Sequence, residues 1–321
     1  MLSKLSFFRG CLTSKSASFV LQKSLFRLLS TSSSETSATT ATPETPVGGE
    51  EKKEDKIDYT TFSTPEDFET LIQKLEGGDK SILAESLTQY SLFNVRRRNL
   101  DEALKLIERA AETWMNVKGE TSSQYATSLF NMSHVHLARG EQNLARPLME
   151  KALGIQEERL GKNHLLVGYT LKNLGDMSLQ NSLFKDAEGH YEKAHSIFAE
   201  NFGEKSPDAL TTKRTWGFAA AMTGDHKKGR EILQSALSIV REQCDSPVQS
   251  HTDPTGMGGA DDVANMLNEI AVLELSCGDA EASLKYLDES LRIYKGNHED
   301  RVIQIGRYRS KLLYLFVVWW L

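Results

Sequence analysis

The stretch DAEGHYEKA, residues 186–194, decides the fold because four other parts of the chain repeat its pattern of small and large residues. Its first alanine belongs to a series of small residues that recur every 42 residues, namely Ala103, Ala145, Ala187 and Gly229. Its second alanine belongs to a parallel series, namely Ala110, Ala152, Ala194 and Ala236. A fifth copy, with Ser283 and Ser290, follows after 54 residues, which is one period plus 12 inserted residues. A fixed period of this length predicts a stacked array, because each unit must bury its apolar face on its neighbours.

Each copy contains two helical patterns, called helix A and helix B below. In helix A of the third copy a small residue follows a large one, at Leu174-Gly175, and the same sizes recur one period later at Trp216-Gly217. Helix B carries one large residue between its two small ones in every copy: Ile107, Met149, Tyr191, Leu233 and Leu287. Small residues let two helices approach closely, and the large ones fill the space between repeats. The sequence therefore predicts an all-α protein made of helix-turn-helix units.

This small-large-small pattern resembles the tetratricopeptide repeat, and five units match it over about residues 80–295. The 42-residue period and the linking segments that begin at Gly161 and Gly203 make the chain similar to the kinesin light chain and nephrocystin type of this repeat. The resemblance implies a right-handed superhelix of five 42-residue repeats with flanking helices. It implies no particular ligand, because one repeat fold serves many partners.

The N-terminal segment has the composition of an organelle transit peptide. Residues 1–34 contain five basic side chains, many serines and no acid, the first acid being Glu35. Lys23 interrupts the only apolar run that a secretory signal could use. The run RLLS at 27–30 resembles a mitochondrial processing site with cleavage after Leu29. Mitochondrial import is the first interpretation; chloroplast or dual targeting, and a basic tail without targeting, stay open.

The rest of the chain divides by composition. Residues 30–62 are polar and contain prolines, so they are predicted to form a disordered linker. The further predicted segments are an N-terminal capping helix at 63–79, repeats one to four at 80–243, an inserted loop at 244–260, repeat five at 261–298, and an incomplete sixth repeat or apolar tail at 299–321.

Two of these segments depart from a regular array. The inserted loop is either a tolerated surface insertion or a partner-docking segment, and its glycine run lacks the Gly-Lys-Ser/Thr ending of a phosphate-binding loop. The chain ends in ten apolar residues, too few for a membrane-spanning helix, which needs about 20. Three interpretations of this tail stay open: an incomplete or spliced end, a helix that docks on repeat five or on a partner, and a membrane-associated tail.

No pattern in the sequence indicates catalysis. The three cysteines lack C-x-x-C spacing, so neither a disulfide framework nor a zinc site is expected. The histidine pairs His134/His136 and His190/His195 lack the spacing of helical metal ligands. The net charge of −6 argues against nucleic acid, whose binding needs a basic surface. The sequence therefore predicts no enzyme, no metal and no cofactor.

The resemblance also implies a binding groove, because helix A lines the concave surface of tetratricopeptide arrays. The inward positions of helix A assign Phe130, Asn131, His134, Lys172, Asn173, Asp176, Arg214, Phe218 and Asn268 to this groove. Asparagine amides can bond both the donor and the acceptor of a partner backbone. The carboxylate clamp of chaperone-type repeats is not reproduced, because Asp176 stands where that clamp would have asparagine.

These features predict a non-catalytic protein–protein interaction scaffold in the mitochondrial matrix or on the matrix face of the inner membrane. It would have no transmembrane span and would bind a peptide or helix of an unidentified protein partner. An assembly or stability factor for a respiratory complex, in peripheral association with an inner-membrane complex, fits the layout. Two alternatives stay open: a cytosolic cargo adaptor of the kinesin light chain kind, and an organellar RNA-binding repeat protein.

Overall fold

The computed structural model describes residues 57–245 and 260–297. The predicted transit peptide at 1–29, the linker as far as residue 56, most of the inserted loop, and the tail at 299–321 lie outside the described residues. Within the described residues the secondary structure is a 3₁₀ turn at Tyr59–Thr61 and eleven α-helices, with no strand. The prediction of an all-α fold is confirmed for these residues.

The helices are α1 (Pro65–Leu75), α2 (Lys80–Arg96), α3 (Leu100–Lys118), α4 (Ser123–Ala138), α5 (Gln142–Leu160), α6 (Leu165–Gln180), α7 (Phe184–Phe202), α8 (Pro207–Met222), α9 (His226–Asp245), α10 (Ala260–Ser276) and α11 (Ala280–Asn297). Helix A of repeats one to five is α2, α4, α6, α8 and α10, and helix B is α3, α5, α7, α9 and α11. The described chain falls into two compact units. The first ends at Ala219 and the second begins at Ala220, so the boundary between the units lies within α8.

In the first unit, small residues bring helices A and B together as predicted. Ala103, Ala145, Ala187, Ala110, Ala152 and Ala194 are all fully buried, and so are the large residues Ile107, Met149 and Tyr191 between them. A Cβ atom at Gly175 of α6 would lie only 2.8 Å from Cε1 of Tyr191 in α7. Ser91 uses its small size differently, since its hydroxyl donates a 2.7 Å hydrogen bond to the Ala103 carbonyl. Helices A and B of one repeat are therefore in direct contact. In the first repeat the contact is the Ser91 hydrogen bond to the backbone of α3, and in the third repeat it is the Tyr191 ring against Gly175.

The N-terminal helix closes the first repeat. Thr64 and Asp67 form a capping box, and Pro65 stands at the first helical position. The Phe68 ring stacks on Tyr90 of α2 at 4.9 Å between ring centroids. This aromatic contact supplies the apolar cover that a terminal repeat needs.

One predicted boundary requires correction. Residues 57–62 were assigned to the linker, yet Tyr59 and Phe62 pack against the apolar core that Phe68 and Tyr90 share. The Tyr59 hydroxyl also lies 3.0 Å from the Ser86 hydroxyl of α2. Two aromatic side chains are enough to fix this segment, although its composition is otherwise polar.

The second unit contains α9, α10, α11 and the last residues of α8. Serines replace alanines in its last helix B, and both are fully buried. The Ser283 hydroxyl donates to the Ala271 carbonyl at 2.7 Å, and the Ser290 hydroxyl donates to the Ala264 carbonyl at 2.8 Å. The buried hydroxyls are therefore satisfied by the backbone of α10, which keeps α10 and α11 in close contact.

Candidate partner-binding groove

Eight of the nine predicted groove residues lie in the first unit. They are carried by α4 (Phe130, Asn131 and His134), by α6 (Lys172, Asn173 and Asp176) and by α8 (Arg214 and Phe218). Asn268 belongs to the second unit, on α10, and only 4% of its surface is exposed. The assignment of Asn268 is not supported, because a buried side chain offers a partner no contact area.

On α4, Phe130 and His134 form one aromatic pair. Their ring centroids are 4.6 Å apart in an edge-on arrangement. Phe130 also packs against the apolar cluster of Met149, Leu174 and Met177. Burial lowers the pKa of His134 to about 4, and the positive charge of Lys172 on α6 is the second cause. His134 is therefore neutral at physiological pH, and the inward residues of repeats two and three lie within electrostatic reach of each other.

On α6, Asp176 is held by two partners. The Tyr191 hydroxyl donates a 2.6 Å hydrogen bond to Oδ1, and the Lys172 ammonium lies 3.8 Å from Oδ2. Tyr191 is fully buried, and this burial, together with the charge of Asp176, raises the pKa of its phenol. Asp176 therefore balances the charge of Lys172.

The two groove asparagines differ. The Asn173 amide donates a 2.8 Å hydrogen bond to the Tyr169 carbonyl of its own helix. Asn131 is half-buried, and its amide makes no hydrogen bond to any described residue. Asn131 thus keeps both donor and acceptor for a ligand, whereas Asn173 has already used one donor.

Two tyrosines that were not predicted as site residues donate hydrogen bonds to carboxylates in or next to the groove. Besides Tyr191, the Tyr169 hydroxyl of α6 donates to Asp208 Oδ2 of α8 at 3.1 Å, which joins repeats three and four. Burial and the charge of Asp208 raise the pKa of Tyr169 to about 12. A sequence signal exists for Tyr191, because the other copies have an aliphatic residue or methionine at this position. A lone hydroxyl there implies a polar partner on the facing helix.

Outside the groove, His195, Glu204 and Lys213 form a compact set of titratable groups. His195 Nε2 lies 3.2 Å from Glu204 Oε2, and the Lys213 ammonium donates to the same oxygen at 3.2 Å. Burial lowers the pKa of His195. Across residues 57–245 and 260–297 no group of three or more His, Cys, Asp or Glu could hold a metal ion. In the same ranges no helix is long and apolar enough to cross a membrane.

Comparison with known families identifies the repeats. A model described as tetratricopeptide repeat matches residues 82–158 and 166–242, and a second model with the same description matches 263–296. The chain belongs to the tetratricopeptide repeat family. This family is a non-catalytic repeat scaffold suited to binding other proteins, and the groove on α4 and α6 lies within the matched residues.

The curated relatives are much longer than this tetratricopeptide chain. The protein KINESIN LIGHT CHAIN-RELATED 3 of Arabidopsis thaliana is 23% identical over 200 residues, which are 62% of this chain and 27% of that protein. A clustered mitochondria protein homolog of Meyerozyma guilliermondii is 24% identical over 150 residues, which are 47% of this chain and 12% of that protein. The chain therefore spans about a quarter or less of the relatives it matches.

Solved structures show the same fold at low identity. BtubC (BKLC) from P. vanneervenii superposes with a TM-score of 0.58 and 18% identity, covering 72% of this chain and 87% of the other. A putative kinesin light chain from Podosopora anserina also has a TM-score of 0.58, with 17% identity, and covers 68% of this chain and 98% of the other. The kinesin light chain-like character expected from the 42-residue period is thus confirmed for the fold.

Proposed function

We propose that this tetratricopeptide protein is a mitochondrial scaffold that binds an extended or helical segment of a protein partner between α4 and α6. The observation that carries the proposal is the Asn131 amide, which has no hydrogen-bond partner among the described residues and follows the Phe130 ring directly in the chain. Such an amide can accept from and donate to the backbone of a bound segment.

The groove chemistry favours a segment without a free carboxylate at this point. Lys172 and Asp176 offset each other's charge, and His134 is neutral at physiological pH. Phe130 and His134, whose rings are in contact and only partly buried, flank Asn131 along α4. Backbone hydrogen bonds to Asn131 would fix the register of the bound segment, and an apolar side chain on the aromatic pair would supply contact area.

The mitochondrial part of the proposal is supported by the N-terminal composition. Residues 1–34 are basic, rich in serine and free of acid, as in a transit peptide. The name of one relative, a clustered mitochondria protein homolog, agrees with this location, although that relative is a far longer protein. We propose assembly or stability support of a respiratory complex as the cellular role, with no catalytic step by this chain.

The main alternative is a cytosolic cargo adaptor. The likeness to the kinesin light chain-related protein of Arabidopsis favours it, since the shared region covers 62% of this chain. An organellar RNA-binding protein is the other alternative, and the net charge of −6 disfavours it.

Two measurements on the full chain, tagged at its C-terminus, test these proposals. Proximity labelling identifies the neighbouring proteins, and mass spectrometry identifies the N-terminal residue of the mature chain. A start at or near Ser30 with matrix or inner-membrane neighbours is expected. An intact Met1 with cytosolic neighbours would overturn the mitochondrial proposal in favour of the adaptor. Strong retention of the purified chain on an RNA column at moderate salt would overturn the protein-scaffold proposal.

A further inference from the structure

Three consecutive arginines lie where α2 meets the turn to α3 in the first repeat: Arg96 is the last residue of α2, and Arg97 and Arg98 begin the turn. Arg96, Arg97 and Arg98 are all exposed, and none forms an ion pair with a described residue. The corresponding turn of the second repeat is different, because its Arg139 pairs with the carboxylates of Asp101 and Glu141. The first turn therefore presents three uncompensated positive charges on a chain whose net charge is −6.

The backbone of this arginine turn is fixed by hydrogen bonds. The Arg98 amide donates to the Val95 carbonyl at 3.0 Å, and the Asn99 amide donates to the Asn94 carbonyl at 2.9 Å. The Arg97 guanidinium lies 5.3 Å from the centroid of the Phe93 ring, which packs against the core of repeat one. Guanidinium groups on a fixed turn lose less freedom when they bind than the same groups on a flexible loop.

Arg98 adopts a backbone conformation that favours glycine. Its φ is 60°, and the equivalent residues of the other four turns also have positive φ: Gly140, Ser182, Gly224 and Gly278. Three of these four are glycines, because the left-handed region is strained for a residue with a Cβ atom. The backbone conformation of the turn therefore does not explain the arginine, because glycine would adopt it with less strain. We attribute the arginine at this position to a role of its side chain.

We propose that the Arg96–Arg98 turn is a docking surface for an acidic segment of a partner polypeptide. The guanidinium fork matches a carboxylate in geometry, and Arg139 already holds two carboxylates in the same way one repeat later. A short acidic segment meets only the local positive charge, whereas an extended polyanion such as a lipid surface or nucleic acid would also meet the acidic remainder of the chain. This surface is separate from the α4–α6 groove, and the proposal does not depend on it.

Binding of a fluorescent polyglutamate peptide to the full chain, followed by anisotropy, tests this proposal. R96Q/R97Q/R98Q should weaken binding by about tenfold or more, because three charge-assisted contacts are lost. The matched control is K118Q/K162Q/K193Q, which removes the same charge from three exposed lysines on other parts of the unit. The control should change the affinity less than about twofold, since its lysines lie outside the turn.

The single variant R98G separates binding from folding. It should weaken polyglutamate binding while the melting temperature stays the same or rises, because glycine adopts positive φ without strain. A parallel loss of affinity and melting temperature would make Arg98 a structural residue and overturn the proposal. Equal losses in the lysine control would also overturn it. Tighter, arginine-dependent binding to phosphatidylserine-rich vesicles than to the peptide would replace the acidic segment with a lipid surface.

Discussion

The buried phenol of Tyr191 donates a 2.6 Å hydrogen bond to Asp176, so a core residue of helix B is tied to a groove residue of helix A in the same repeat. Tyr191 has no exposed surface, whereas the Asp176 side chain is 41% exposed. The contact fixes the carboxylate that balances Lys172. The groove of repeat three therefore depends on a residue that no partner can reach.

Replacing Tyr191 with phenylalanine keeps the ring and removes this bond. We expect the free energy of unfolding to fall by about 1–2 kcal/mol, as for the loss of a hydrogen bond to a charged group that stays partly solvated. Urea unfolding followed by circular dichroism measures the loss. The matched control Tyr169→Phe removes the longer 3.1 Å bond to Asp208 and should cost less. Equal stability of Tyr191→Phe and the wild type would show that the bond contributes nothing.

Gly175→Ala tests the close approach of helices A and B. The new Cβ would lie 2.8 Å from Cε1 of the fully buried Tyr191 ring, so we expect a loss of about 1–3 kcal/mol from overpacking. Gly189→Ala is the matched control, because nothing lies within 4 Å of its added Cβ in the middle of α7. That control should gain up to about 1 kcal/mol from helix propensity. Thermal unfolding of both variants measures these changes in stability. A Gly175→Ala protein as stable as the wild type would contradict the close packing of Gly175 against Tyr191.

The pH dependence of stability should carry a contribution from His134. Burial lowers the pKa of His134 in the folded chain to about 4, below the ordinary value of 6.5, so the unfolded chain binds more protons between these values. This contribution is fully present above pH 6.5 and is lost as the pH falls towards 4. It amounts to up to about 3 kcal/mol.

Unfolding of the wild type and of His134→Gln at several pH values between 4 and 7.5 isolates the effect of His134. His190 and His195 also have lowered pKa values but are present in both proteins, so the difference between the two curves reports on His134. Parallel curves over the whole range would show that His134 titrates normally.

Asn131→Ala should weaken capture of the native partner about tenfold, the effect of one or two lost hydrogen bonds, without changing the melting temperature. The physical reason is that this amide has no partner among the described residues. Affinity purification followed by a direct binding titration provides the measurement. Asn173→Ala serves as a comparison, because it also removes the 2.8 Å bond to the Tyr169 carbonyl. A large fall in melting temperature for Asn131→Ala would identify it as a structural residue.

Much of the fold could be predicted because small residues recur with the period of the repeat. Ala103, Ala145 and Ala187 recur at a constant spacing, and their burial follows directly from the contact between helices A and B. The capping helix could also be predicted, because Thr64, Pro65 and Asp67 form a local helix-start signal. Its capping hydrogen bonds join residues only a few positions apart. The end of the linker could not be predicted, because Tyr59 and Phe62 fold only by contact with a core that is built by later residues.

The candidate groove was predicted as a set of positions but not as a set of interactions. Helical periodicity placed Asn131, Asn173 and Asn268 on helix A. It could not show that the Asn173 amide donates to a carbonyl of its own helix or that Asn268 is buried. These differences arise from side-chain conformation and from neighbours many residues away.

By itself the sequence determined the repeat, the order of helices A and B, and the small residues at their contacts, because these depend on a periodic pattern of residue size. Only the tertiary structure decided which charges remain uncompensated. The carboxylate of Asp176 accepts a hydrogen bond from Tyr191 and balances the charge of Lys172. Arg96 and Arg98, in contrast, form no ion pair with any described residue. Charge pairing depends on distances of a few ångströms between side chains, and those distances are set by packing rather than by order along the chain.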